Sequence, residues 1–290
     1  MYKASMTIFK YYMALMDSFS ESLLHMYPEG SLDNPDHYKV LIINKIARMF
    51  HSLETLVENI RDEVSARCVL RGILDSVTIY CFIYERTDNE EVLFRHLLYI
   101  KDGFKSYRDK VGNIIVDKSR NRDKEESFEE LCDQILSQVD KKLFSHPYSS
   151  INKTSVETII KNGCWNYVSL FNKPKSVKFG PMYRHVGFEE KTAEYYQSVL
   201  SQYAHGLCLS NLLQSDMSHM KKILFESLPF AYRMVEAILH TFPDRRHDLL
   251  NCFHKSTSYQ ALSNNPEFKI EEFLKYFQAV RNHDTRVIID

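Results

Sequence analysis

Residues 66–85 have the sequence ARCVLRGILDSVTIYCFIYE, the most apolar helix-length segment of the chain. At about 100° per residue, its polar residues fall within roughly 80° of one another on a helix. They are Arg67, Arg71, Asp75, Thr78 and Glu85. Because a helix with so narrow a polar stripe buries most of its surface, we predict a largely buried helix here.

The rest of the chain also favours helices. Its 290 residues include only eight glycines and eight prolines, which is few for a turn-rich β architecture. Apolar residues recur with helical spacing, and no pair of segments has hairpin character. We therefore predict an all-α fold, an irregular bundle of about nine or ten helices. Residues 1–290 are expected to form a single domain. The sequence leaves open whether this domain has two lobes, divided near the charged stretch 111–127.

Composition limits the classes of function. The 37 basic and 38 acidic residues give a formal net charge of -1, so no overall basic field draws nucleic acid to the protein. No uninterrupted apolar run reaches the length of a membrane span. The six cysteines are scattered without a CxxC pair, which is typical of reduced thiols and predicts a cytoplasmic protein. The sequence leaves homo-oligomerisation open.

A second predicted helix, residues 188–214, carries a polar stripe of its own. Glu194, Ser198, Ser201 and His205 fall within roughly 60° of one face. If the two stripes face each other, they form a buried binding site in which polar groups satisfy one another. Its predicted members are Arg71, Asp75, Glu194, Ser201 and His205. The alternative is a set of surface ion pairs together with a core histidine.

Two residues further along suggest a different function. Arg233 and His240 lie seven positions apart, hence on one face of a helix. An arginine followed a few residues later by histidine resembles the signature of the HEPN ribonucleases, all-helical enzymes that cleave RNA without metal. The resemblance implies that Arg233 stabilises phosphate charge and that His240 serves in acid-base catalysis. Six intervening residues are the limit of that spacing, and Met234 occupies a position that is usually polar in the family.

Neither a metal nor a cofactor is predicted. The twelve histidines include no H-x3-H or H-E-x-x-H arrangement, the spacings that bring two histidines onto one helical face. A local basic and aromatic patch between residues 171 and 184 suits contacts with nucleic acid, although a solvated loop explains it equally well. Its basic members are Lys173, Lys175, Lys178 and Arg184.

The chain also resembles a bacterial family of all-helical proteins that is known only as a domain of unknown function. The similarity rests on the helix with Arg71-x3-Asp75 and on a later segment that ends Leu200-Ser201-x3-His205-Gly206. In that family the first helix more often has Glu where this chain has Asp75. The resemblance covers roughly residues 47–213 and implies a helical fold in which Arg71, Asp75 and His205 belong together. It brings no established reaction.

These observations predict a bacterial, cytoplasmic helical protein with a polar pocket and a binding or regulatory role. Two alternatives stay open at this point. One is a HEPN-like, metal-independent endoribonuclease in a defence or toxin system. The other is a structural helical adaptor.

Overall fold

The computed structural model describes residues 2–111, 122–151, 153–169, 176–185, 187, 188, 190–205 and 217–264, and this part of the chain is all-α. The prediction of fold class is confirmed. The α-helices are α1 (Tyr2–Met26), α2 (Pro35–Thr55), α3 (Glu63–Tyr84), α4 (Asn89–Val111), α5 (Arg122–Ser145), α6 (Lys153–Asn162), α7 (Phe179–His185), α8 (Glu190–Ala204), α9 (Met217–Thr241), α10 (Arg246–Lys255) and α11 (Thr257–Ser263). A π-helical turn (Leu56–Ile60) follows α2, and 3-10 turns cover Pro147–Ser150 and Pro243–Arg245.

The start of α3 is set by a side-chain cap. Asp62 accepts hydrogen bonds from the backbone N–H and the hydroxyl of Ser65, at 3.1 and 2.6 Å. These bonds satisfy an N–H group that the first helical turn leaves open, and they lower the pKa of Asp62. Before the cap, Arg61 adopts a left-handed conformation with φ 62°. The break between the π-helical turn and α3 therefore has a local cause.

The observed helices differ from the predicted ones in three places. The stretch 111–127, predicted as a connector, includes the last residue of α4 and the beginning of α5, whose Lys and Glu residues are good helix formers. Part of the stretch 171–184, for which a solvated loop was one explanation, belongs to the short helix α7. The helix predicted for 188–214 is observed as α8 up to Ala204. Residues 206–216 lie outside the described part, as does the helix predicted near the C-terminus.

The chain divides into two compact units. The first comprises Met1–Glu29, Asp36–Cys81 and Phe179–Asp290, and the second comprises Gly30–Pro35 and Phe82–Lys178. Residues 112–121, the centre of the stretch near which a division into lobes was predicted, lie outside the described part of the chain.

Aromatic side chains pack the helices of the first unit together. The rings of Phe9 on α1 and Phe50 on α2 have centroids 6.1 Å apart, and Tyr11 meets Phe253 of α10 edge-on at 5.2 Å. Gly72 lets α2 approach α3, since a Cβ atom there would lie 2.5 Å from Cε of Met49. The first unit thus has an apolar core around α1, α2 and α10.

In the second unit, a buried arginine joins α4 to the chain after α6. The Arg95 side chain is fully buried and binds Glu91 one turn earlier. Its Nη1 donates to the carbonyl oxygens of Trp165 and Tyr167, at 3.1 and 2.9 Å, and its guanidinium lies over the Tyr167 ring. Gly163 follows the end of α6 with φ +64°, and a Cβ atom there would lie 3.3 Å from the backbone of Asp102.

Within the described part of the chain, no helix has the length and apolar character needed to cross a membrane.

Candidate functional site

Four polar residues of α3 lie in the first unit and contact three other helices of that unit. They are Glu63, Arg67, Arg71 and Asp75, spaced four apart, so each lies about one helical turn, roughly 6 Å, beyond the last. Their partners come from α7, α8 and α9. We call these four residues and their partners, Tyr183, Ser201, Tyr203 and Glu226, the polar seam.

Arg71 and Asp75 form the C-terminal half of the polar seam. Nε of Arg71 donates to Asp75 at 3.0 Å, and Nη1 donates to Ser201 Oγ at 3.1 Å and to the Gln197 carbonyl oxygen at 3.4 Å. The other oxygen of Asp75 accepts from the Tyr183 hydroxyl at 2.7 Å. Burial, followed by the charge of Asp75, raises the pKa of Tyr183, which keeps this hydroxyl protonated as a donor. This half therefore binds both α7 and α8 to α3.

Arg67 organises the N-terminal half. Its Nε donates to Glu63 at 2.9 Å and its Nη1 to Glu226 of α9 at 3.1 Å. The Arg67 guanidinium also lies over the ring of Tyr203, 4.9 Å from its centroid, while the Tyr203 hydroxyl donates to Glu63 at 3.4 Å. One guanidinium thus holds two carboxylates in a largely buried place, where a charge without a partner is costly.

Two glycines position α7 so that Tyr183 reaches Asp75. Gly187 has φ +97°. Its N–H donates to the carbonyl oxygen of Arg184, and the N–H of Phe188 donates to that of Tyr183, so these two bonds end α7. At Gly180 a Cβ atom would lie 2.1 Å from Oε1 of Gln197, so glycine allows α7 to approach α8 closely. The position of the Tyr183 hydroxyl follows from both.

On its other side, α8 contacts α9 through aromatic rings. Tyr196 lies 4.9 Å from Phe230, and Phe188, just before α8, lies 5.5 Å from the same ring. Pro229 lies inside α9 and has no N–H to donate to the backbone carbonyl of residue 225. The neighbouring backbone carbonyl, that of Glu226, accepts a hydrogen bond from the Tyr196 hydroxyl at 3.3 Å. The contacts of α8 with α9 thus combine two aromatic ring pairs with one hydrogen bond.

The structure brings three of the five predicted binding residues together, namely Arg71, Asp75 and Ser201. The prediction of burial is wrong for the other two, because Glu194 and His205 are exposed. Glu194 lies on the outer side of α8 with Ser198, which is also exposed. His205 directly follows the end of α8 at Ala204, where its N–H still bonds the Ser201 carbonyl oxygen at 3.1 Å, and its side chain is exposed.

The sequence did not reveal four members of the polar seam. Glu63 precedes the predicted helix by three residues. Its spacing of four from Arg67 is nevertheless a usable signal, because opposite charges at this spacing form ion pairs on one face of a helix. Glu226 is the acidic residue within the apolar run ILFESLPF, a second usable signal. The roles of Tyr183 and Tyr203 have no sequence signal, because an aromatic residue in a helical pattern usually belongs to the core.

Arg233 and His240 both lie on α9, where Arg233 is half-buried and His240 is exposed in the last turn. Met234, between them, is fully buried. A Cβ atom on Gly187 would lie 3.8 Å from Nε of Arg233, which places this arginine next to the end of α7. Catalysis by these two residues stays a prediction.

If Arg233 and His240 act on RNA, the purified chain should cleave RNA in the presence of EDTA. We expect His240→Ala to reduce cleavage by roughly 100-fold or more, because general acid-base catalysis contributes effects of that size. His247→Ala is the matched control, since His247 is also exposed and lies on the neighbouring helix. Equal cleavage by the two variants, or none by the wild-type chain, would remove the nuclease hypothesis.

The predicted nucleic-acid patch is described only in part. Lys178 and Arg184 are exposed and belong to different units, and Lys173 and Lys175 lie outside the described residues. Among the residues that the structure describes, no group of three or more His, Cys, Asp or Glu side chains is placed to hold a metal ion.

Comparisons with protein-family models, with curated proteins and with solved structures found no match. The two family resemblances therefore stay predictions.

Proposed function

We propose that the chain is a helical protein with a binding or regulatory role, in which α7 and α8 form a movable element that the polar seam holds against α3. The observation that carries this proposal is the double role of Arg71. It pairs with Asp75 on its own helix, and it donates two hydrogen bonds to α8. Arg71 thus links α3 to α8 directly, beside the contacts that Tyr203 of α8 makes with Glu63 and Arg67.

The chemistry of the contacts supports a regulatory role. The named bonds from α7 and α8 to α3 are polar, whereas α8 contacts α9 through the rings of Tyr196 and Phe230. A polar contact exchanges readily with water or with a ligand, because the net free energy of each hydrogen bond is only about 0.5–1.5 kcal/mol. Separating α8 from α3 therefore costs less than separating it from an apolar neighbour of equal area.

Arg71 also offers a place for a ligand. Its Nη2 makes no hydrogen bond within the described part of the chain, and 15% of the side chain reaches solvent. An acceptor oxygen of a ligand or of a partner protein, whether carbonyl, carboxylate or phosphate, can bind there. A second acceptor from the same molecule would compete with Ser201 for Nη1 and so release α8.

Native-state hydrogen exchange tests this proposal. We expect amides of α7 and α8 in the wild-type chain to exchange through a local opening that costs less free energy than the opening of α1 and α9. In Arg71→Gln this exchange should be roughly 5- to 30-fold faster, which corresponds to about 1–2 kcal/mol. Exchange in α1 should change much less.

Glu194→Gln is the matched control, because Glu194 is an exposed carboxylate on α8 itself. It should leave the exchange of α7 and α8 unchanged. If α7 and α8 exchange only through global unfolding, and Arg71→Gln behaves like the control, the polar seam is a fixed part of the core. The structural adaptor would then be the better description of the protein.

A further inference from the structure

The N-terminal half of the polar seam has more negative than positive charge. Glu63 and Glu226 share the Arg67 guanidinium, so the three groups together have a charge of -1 when all are ionised. The Glu63 side chain is only 4% exposed and that of Glu226 19% exposed. Water therefore screens this excess charge poorly.

Among the other titratable groups near Glu226, only one exposed lysine offsets the excess charge in the neutral range. From α8 it is faced by Tyr195, Tyr196 and Tyr203, and burial raises the pKa of all three above that of an ordinary tyrosine. On α9 the exposed Lys222, one turn earlier, acts on it as a positive charge. On α3 the next charged side chain after Arg67 is Arg71, and it already forms an ion pair with Asp75.

Glu226 is the carboxylate on which this excess charge acts. Burial raises its pKa and Glu63 adds to this effect, whereas Arg67 and Lys222 act in the opposite direction. Because the folded-state pKa is raised, Glu226 contributes stability below its unfolded pKa, and this contribution is lost as pH rises through the folded-state value. A neutral Glu226 still accepts a hydrogen bond from Arg67, and Arg67 and Glu63 then balance in charge.

We propose that Glu226 is a proton-controlled switch of the polar seam: the neutral side chain keeps Arg67 and Glu63 balanced in charge where they contact Tyr203 of α8, and ionisation weakens that contact between α8 and α3. This inference rests on the proposed function, since it names what regulates the same movable element. Its physical basis is the arrangement of two carboxylates on one buried guanidinium that joins α3 to α9. Acidification strengthens the polar seam and alkalinisation loosens it.

The test compares the wild-type chain with Glu226→Gln between pH 4 and pH 8. Glutamine keeps the acceptor for Arg67 and cannot ionise, so the variant should have nearly the same Tm as the wild type at pH 4. It should exceed the wild type by about 2–4 °C or more at pH 8. The exchange of α8 amides, corrected for intrinsic rates, should become faster with rising pH in the wild type but not in the variant. Glu194→Gln should follow the wild type throughout.

Parallel Tm profiles for the wild type and Glu226→Gln would overturn the switch. If the variant does not fold, a carbon-13 titration of Glu226 in the wild-type chain decides instead, and a midpoint in the ordinary range of glutamate overturns the proposal. Local opening of α8 that is independent of pH would remove the switch and leave the proposed function intact. An α8 that opens only with the whole fold would remove the movable element itself.

Discussion

Arg67→Ala is expected to destabilise the chain by about 3–5 kcal/mol, because it leaves two buried carboxylates without their cation. Glu63 loses the bond to Nε, Glu226 loses the bond to Nη1, and the Tyr203 ring loses the guanidinium above it. Chemical denaturation at neutral pH measures the effect. It is the largest single-site effect we expect in the polar seam.

Arg246→Ala is the control, since Arg246 is an exposed arginine on α10. A second variant separates charge from packing. If the cost of Arg67→Ala comes from uncompensated charge, adding Glu63→Gln and Glu226→Gln to it should recover part of the lost stability. A loss no larger than that of Arg246→Ala would contradict the burial of this ion cluster.

The sequence predicted much of the fold for a simple physical reason. Helical periodicity and the scarcity of glycine and proline are local properties, and helices form from local hydrogen bonds. The helix predicted over residues 66–85 is accordingly observed as α3 (Glu63–Tyr84), with bounds close to the predicted ones. The observed helices differ from the predicted ones where local signals conflict, as at the start of α5, where a highly charged run favours a connector but its residues are good helix formers.

The candidate site was predicted less completely, because a helical wheel gives the direction of a side chain but not the position where a helix ends. Arg71, Asp75 and Ser201 were placed correctly on facing stripes. His205 was not, since α8 ends one residue before it. Tyr183 reaches Asp75 only because Gly180 and Gly187 bring α7 close to α8, and this is a tertiary contact that no spacing in the sequence announces.

Asp75→Ala is the second large effect, with an expected loss of about 1–3 kcal/mol in the free energy of unfolding. The substitution removes the carboxylate that Arg71 binds at 3.0 Å and the acceptor of the Tyr183 hydroxyl. We place this loss below that of Arg67→Ala because the Asp75 side chain is 28% exposed, so water can replace part of what is lost. Glu194→Ala, at an exposed carboxylate on α8, should change stability by less than about 0.5 kcal/mol.

A double-mutant cycle between Asp75→Ala and Tyr183→Phe tests most directly whether polar contacts hold α7 and α8 against α3. Each single variant removes one end of the 2.7 Å hydrogen bond, so the two losses should not add. We expect a coupling free energy of about 1 kcal/mol or more, measured by chemical denaturation of the four chains. A coupling free energy of zero within error would show that Tyr183 and Asp75 do not interact in solution, and the polar seam would have to be abandoned.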